Sequence, residues 1–285
     1  SRNLNHLGLT GTIPAQISRF SEFSSYGSGI TLSHNRFTGT IPNSLHQLTS
    51  LGNLDVSHNQ LTGALRLPCY QFDGFTYGIE LLKVSVANNL LTYFNPLKED
   101  FCVSTSRLQR LDVGNNKFEG TVPTALSSFS ALETLRINDD EYVGTIPSDL
   151  CRLTLLLELN MANNQLTGTI PSEVGDLLLL TYFDISGNTL DPVLPSSICS
   201  LRFDSMTYCN ITQSTGVEWD CSGIDCDCAV GLTSCYIDEA CLRTCEAVSP
   251  AVFVVLTVLI GLGMLAALIY GVVAVHRQKL KKTEA

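Results

Sequence analysis

Basic side chains are scarce in this chain. Its 285 residues hold 17 lysines and arginines against 27 aspartates and glutamates, a net charge of −10. A surface of that sign repels phosphate backbones and anionic headgroups, so nucleic acid is excluded as a partner. Histidine is also scarce, with five residues. No glycine-rich phosphate loop, no nucleophile set beside a base and no spaced metal-ligand motif occurs. An enzyme would need such convergent groups, so no catalytic residue, metal or cofactor is expected.

What the chain has instead is repetition. Leu9-Thr-Gly-Thr-Ile-Pro14 returns as Phe37-Thr-Gly-Thr-Ile-Pro42 and Leu166-Thr-Gly-Thr-Ile-Pro171. Phe118-Glu-Gly-Thr-Val-Pro123 and Tyr142-Val-Gly-Thr-Ile-Pro147 lie between them. Each unit reads L-x-x-L-x-L-x-x-N-x-L-x-G-x-I-P. Its asparagine slot falls at Asn35, Asn59, Asn89, Asn116, Asp140, Asn164 and Asn188, at steps of 24 to 30 residues. That period predicts a solenoid of about eight leucine-rich repeats, an α/β fold with one parallel sheet. Alternation in Ile30-x-Leu32, Leu54-x-Val56, Val84-x-Val86, Leu111-x-Val113, Leu135-x-Ile137, Leu159-x-Met161 and Phe183-x-Ile185 sends these side chains inward. The asparagine amide both donates and accepts, so it ties one turn to the next. Asp140 can only accept when ionised, and a weakened turn is expected there.

The Gly-x-Ile-Pro ending of five units resembles plant-type leucine-rich repeats, over about residues 1–200. That class occurs in receptor-like kinases, receptor-like proteins and polygalacturonase-inhibiting proteins. The resemblance implies a twisted superhelix with a concave sheet, an extra short strand per repeat and an extracellular binding role. The whole layout resembles membrane-anchored receptor-like proteins without a kinase, from plants or algae such as diatoms.

The domain reading follows from composition. Residues 1–198 are the repeats. Ser1 falls within a strand-like stretch, so a missing N-terminal cap and signal peptide are expected before it. Two insertions, Ser21 to Gly29 and the aromatic Leu67 to Gly78, lengthen their units; the second is read as a self-anchored loop, with ligand contact as its alternative. Residues 199–248 form a Cys-rich cap or juxtamembrane stalk. Residues 249–275 form a transmembrane helix, since 251–275 carry no charge and 25 residues are enough to cross a bilayer. Residues 276–285 are a short basic tail, which places the repeats outside and the C-terminus in the cytosol. A single-pass type I protein of the plasma membrane is expected, contacting lipid through one helix. Gly263, Ala267 and Gly271 share one face of that helix and suit a lateral dimer.

Eleven cysteines sit in this extracellular reading. Cys199, Cys209, Cys221, Cys226, Cys228, Cys235, Cys241 and Cys245 crowd the cap, where disulfides are expected with unresolved connectivity. Cys69 and Cys102, in consecutive units, are a candidate bridge, leaving Cys151 as a buried odd thiol. Asn210-Ile-Thr212 is the one N-glycosylation acceptor sequence.

The residues flanking the inward pairs form columns on the open sheet face. Lys83, Arg110, Asp112, Arg136, Glu158, Asn160, Tyr182 and Asp184 are the candidate ligand-binding residues, since Arg and Tyr dominate interfaces. The alternative is a solvated face whose charges pair with one another. His6, His34 and His58 share one turn position in successive units. They are read as turn residues, ahead of a metal or pH-sensing site.

The function expected is a membrane-anchored recognition module that binds a peptide, protein or cell-wall glycan and acts through a partner such as a co-receptor kinase. An adhesive surface protein without signalling is the alternative, as is the ectodomain of a receptor-like kinase.

Overall fold

The computed structural model describes residues 2–22, 28–48, 51–66, 69–72, 75–78, 81–94, 107–201 and 207–212. The chain divides into two compact units, Ser1–Asp238 and Glu239–Ala285, and every described residue lies in the first. The apolar run 251–275, its small-residue face, Cys102 and the cysteines from Cys221 onward lie outside the described residues. Among the described residues no helix is long and apolar enough to cross a membrane.

Nine strands pair in parallel and in sequence order to form one long sheet. They are Arg2–Asn3, Ser28–Thr31, Leu51–Asp55, Lys83–Ser85, Arg110–Asp112, Thr134–Arg136, Glu158–Asn160, Tyr182–Asp184 and Tyr208–Asn210. The last of these lies within the segment read as the cap. The middle residues stay in register from Ile30 through Leu54, Val84, Leu111, Leu135, Leu159 and Phe183 to Cys209, and all are buried. Their side chains stack into one core that no single unit could form. The expected extra strands are present as a four-stranded and a three-stranded parallel sheet after the asparagine turns. Gly144, within one of these strands, and Gly168, directly after another, adopt φ of +79° and +73°. A Cβ there would sit 3.1 and 2.8 Å from the Thr121 and Thr145 methyls of the preceding unit, so both conformation and contact require glycine.

Among the described residues the helical segments are tight 3-10 turns rather than α-helices. Four five-residue examples are Asn43–Gln47, Thr124–Ser128, Ser148–Arg152 and Ser172–Asp176. Each begins directly after a proline, whose carbonyl accepts the N–H three residues on, as Pro147 does from Leu150 at 3.1 Å. The turn closes before an α-helical bond can form, because the chain must re-enter the sheet. The Leu67 to Gly78 insertion contains an antiparallel pair, Cys69–Phe72 with Phe75–Gly78. Cys199 and Cys209 each belong to a disulfide, and Cys151 is a free buried thiol. Burial pushes the Cys151 thiol up to about 12, helped by Glu173 and Asp176, which keeps it protonated and unreactive.

The asparagine slot binds the units together. Asn164 Nδ2 donates to the carbonyls of Met161 and Ala162 in its own turn and of Ile137 in the preceding unit. Its Oδ1 accepts the Tyr142 N–H at 3.1 Å. Asn35, Asn59, Asn89, Asn116 and Asn188 make the same set.

Candidate functional site

The register of the long sheet puts the candidate residues into two ladders. Asn53, Lys83, Arg110, Thr134, Glu158, Tyr182 and Tyr208 lie side by side in one. Asp55, Ser85, Asp112, Arg136, Asn160, Asp184 and Asn210 form the other, two residues along each strand. Both ladders emerge on the face opposite the core, because alternate strand residues point to opposite sides. The eight candidate residues therefore share one surface across five successive strands.

Their chemistry divides this surface in three. In the centre, the Arg136 guanidinium grips Glu158 through two bonds, Nε to Oε1 at 2.6 Å and Nη2 to Oε2 at 3.0 Å. Its Nη1 also reaches Asp112 Oδ2 at 3.3 Å. The Arg136 side chain is 38% exposed, but Asp112 and Glu158 are only 17% and 16% exposed. The two acids are thus covered by the arginine and spent on it. Burial raises the Asp112 pKa, opposed by the Arg136 charge and by the Gly114 backbone. Hydrogen bonding to Glu158 raises that of Arg136. This cluster orders the sheet face and offers a ligand chiefly the outer guanidinium edge.

On one side of it lie Lys83 and Arg110, neighbours in register and both exposed. Neither forms an ion pair among the described residues. Two adjacent cations without an acid are a ready counterpart for a carboxylate or another anionic group. On the other side, the Tyr182 and Tyr208 rings stack with centroids 4.6 Å apart and planes at 15°. Burial, then Asp184, raises the Tyr182 pKa, so the phenol stays neutral.

The acids and amides of the second ladder also carry a backbone task. Asp55 and Asp184 Oδ1 each accept the N–H and hydroxyl of the serine two residues on, Ser57 and Ser186. Asn160 Oδ1 accepts the Ala162 N–H in the same way. Asn160 and Asp184 are therefore turn caps as much as candidate contacts. Tyr208 was absent from the candidate set. The signal for it was the match between Asp184-Ile-Ser186 and Asn210-Ile-Thr212, which extends the repeat by one strand.

His6, His34 and His58 stack along the edge of the solenoid, with ring centroids 4.2 and 4.0 Å apart and nearly parallel planes. All three adopt φ above +50°, a place filled by Asn88, Asn115, Asp139 and Asn163 in later units. Stacked parallel rings aim their lone pairs side by side, not at one point, which suits a turn ladder better than a metal centre. Among the described residues no three His, Cys, Asp or Glu side chains are placed to hold a metal. An open groove of about 850 Å³ runs beside the 3-10 turns, lined by the threonines and serines Thr121, Thr145, Thr169, Ser148 and Ser172 together with Glu173.

Residues 29–48, 107–129, 155–177 and 179–201 match the leucine-rich-repeat family model. Over 99 residues, 34% of the chain, the sequence is 33% identical to receptor-like protein 31 of Arabidopsis thaliana. The matched stretch spans 10% of that relative's own length. The fold is similar to that of the plant peptide hormone receptor RGFR1 solved in complex with RGF2, with a TM-score of 0.62 and 28% identity. That match covers 72% of this chain and 31% of the receptor chain. It is also similar to the Arabidopsis receptor kinase HAESA solved with the peptide hormone IDA and the co-receptor SERK1, with a TM-score of 0.56 and 26% identity over 74% of this chain and 37% of the other.

Proposed function

We propose that this leucine-rich-repeat chain, homologous over part of its length to plant receptor-like proteins, is a cell-surface recognition module that binds an extended peptide on its long sheet. The observation that carries the reading is the Lys83–Arg110 pair, two exposed neighbouring cations with no acid assigned to them among the described residues. They sit beside the rigid Asp112–Arg136–Glu158 cluster. A peptide lying across the strands would meet cations, then the ordered guanidinium, then the tyrosine end. The similarity to ectodomains solved with peptide hormones supports a peptide over a glycan as ligand. The uncharged run 251–275 and the basic residues after it support a membrane anchor with the repeats outside. The neighbour solved with a co-receptor supports signalling through a partner such as a co-receptor kinase, and the small-residue face at Gly263, Ala267 and Gly271 supports a lateral dimer.

The test is a binding screen of the full chain, reconstituted in lipid nanodiscs, against acidic and neutral synthetic peptides. Binding of acidic peptides is expected, and Lys83→Glu with Arg110→Glu should weaken it about tenfold or more. The melting transition should hardly move, because exposed charges add little to stability. Equal binding by the double variant would place the ligand elsewhere.

A further inference from the structure

Tyr208 and Asn210 lie two residues apart on the last strand of the long sheet, so their side chains leave the same face. Asn210 Nδ2 donates to the Tyr208 hydroxyl at 3.3 Å. Asn210 Oδ1 accepts the Thr212 N–H at 3.1 Å and the Thr212 hydroxyl at 2.9 Å. Beneath them Cys209 is buried and disulfide-bonded, which fixes the strand that carries both side chains. The repeat explains the turn, since Asp55 with Ser57 and Asp184 with Ser186 make the same one. It does not explain why the carboxylate gives way to an amide at this position alone with a hydroxyl two residues on. Nor does it explain why two stacked tyrosine rings lie next to that amide.

We infer that Asn210 carries an N-linked glycan whose first sugar rests on the Tyr208–Tyr182 ring pair. In the transfer step the amide nitrogen attacks C1 of the N-acetylglucosamine unit of a lipid-diphosphate-linked oligosaccharide. The C1–N bond forms, the C1–O bond breaks and the lipid diphosphate leaves with the bonding pair. One amide proton passes to the transferase's base, and nothing is oxidised or reduced. Nδ2 keeps one hydrogen. The axial C–H face of the sugar is apolar and weakly positive, and it meets the Tyr208 ring face turned away from Tyr182, which braces that ring from behind. This inference rests on the proposed placement of the repeats outside the cytosol.

The experiment expresses the full chain in a eukaryotic secretory host and measures glycan occupancy at Asn210 by glycopeptide mass spectrometry. High occupancy is expected, and Thr212→Ala should abolish it. Tyr208→Leu should lower occupancy and speed endoglycosidase release from the native protein by about two- to tenfold, the range an aromatic contact supports. Tyr208→Phe keeps the ring and should leave both unchanged. Tyr182→Leu, one strand away, provides a second removal of the platform should Tyr208→Leu not fold. Glu119→Asn creates an exposed Asn-Gly-Thr acceptor on the second sheet and reports on topology. A glycan at that reporter with none at Asn210 overturns the inference alone. No glycan at either overturns the placement of the repeats as well. Equal occupancy and equal release in the tyrosine variants overturn the ring platform.

Discussion

Asp140 and Asn164 fill the same slot in successive units, yet Asp140 can donate only when it is protonated. Asp140 Oδ1 accepts the N–H groups of Asn116 and Phe118, both at 3.1 Å. Its Oδ2 is buried with no partner, where the asparagines place Nδ2 against backbone carbonyls. By the repeat, those carbonyls belong to Val113, Ile137 and Asn138. A carboxylate oxygen facing them is repelled, whereas a protonated one can donate. Burial therefore pushes Asp140 up to about 8, against the two N–H groups that favour its charge, with Asp139 and Glu141 adding to the rise. The folded state holds this proton between the ordinary aspartate range and pH 8, and the unfolded state does not. The stability that depends on it is complete in acid and is lost as pH rises through about 8. Asp140→Asn restores the donor and removes the titration. It is expected to stabilise the chain by ~1–3 kcal/mol near neutrality. Melting curves at several pH values check this, and the gain over wild type should grow from acid to alkaline pH.

The histidine stack gives the opposite slope at the other end. Partial desolvation of the exposed His34 ring between its two stacked neighbours lowers its pKa, with His58 and His6 adding like charge and Asp55 opposing. The neutral ring is favoured in the fold, so stability from this site is present above the ordinary histidine pKa and lost as pH falls below it. In an NMR titration His34 should protonate at lower pH than an ordinary histidine. His6→Asn with His58→Asn should move its midpoint upward, since both like charges are gone and Asn suits the positive φ. An unmoved midpoint would show that the stack does not couple the rings.

Most of the scaffold was legible because its determinants are local and periodic. The inward pairs, the asparagine slot and the glycine of each turn are set by short-range geometry, and the register of the sheet follows from the repeat length. The two ladders of the face were legible for the same reason. What sits on them was less so. Arg136 reads as an interface anchor, with charges of the face pairing with one another as the alternative, and the sheet brings Asp112 and Glu158 from neighbouring strands to its guanidinium, which is that alternative at this position. The last strand was hidden because Cys209 replaces the usual aliphatic residue in its centre. The five residues after each proline leave room only for a 3-10 turn before the chain returns to the sheet.

The Arg136 cluster can be separated from ligand binding by its effect on stability. Arg136→Ala leaves Asp112 and Glu158, each less than a fifth exposed, without their cation. Half-buried clusters of this kind lie between an exposed pair and a buried one, so a loss of ~1–3 kcal/mol is expected. Arg110→Ala, in the preceding unit and unpaired among the described residues, should cost less than ~0.5 kcal/mol. A thermal or denaturant melt of the two variants reads the difference directly. Equal stability would mean that the cluster is solvated and that Arg136 is as available to a ligand as Arg110.

Gly175 marks a close approach between two 3-10 turns. A Cβ built on it would lie 2.4 Å from the Ser197 carbonyl oxygen of the next unit, and that oxygen is backbone. The matching residues in three other turns are Ser127, Cys151 and Cys199, each with a side chain that Gly175 lacks. The turns bearing Ser172 and Ser197 are also joined by the Ser197 hydroxyl, which donates to the Ser172 carbonyl. Gly175→Ala must push these turns apart and is expected to cost ~1–3 kcal/mol, the usual scale for overpacking a filled site. Ser127→Ala removes only an exposed hydroxyl bond to Thr124 and should stay within ~0.5 kcal/mol of wild type. Because solenoid units couple mainly to their neighbours, the damage should be local. Hydrogen exchange is expected to quicken in the units around Asn164 and Asn188, while amides near Asn59 keep their protection. Uniform loosening along the chain would mean that the solenoid unfolds as one cooperative body.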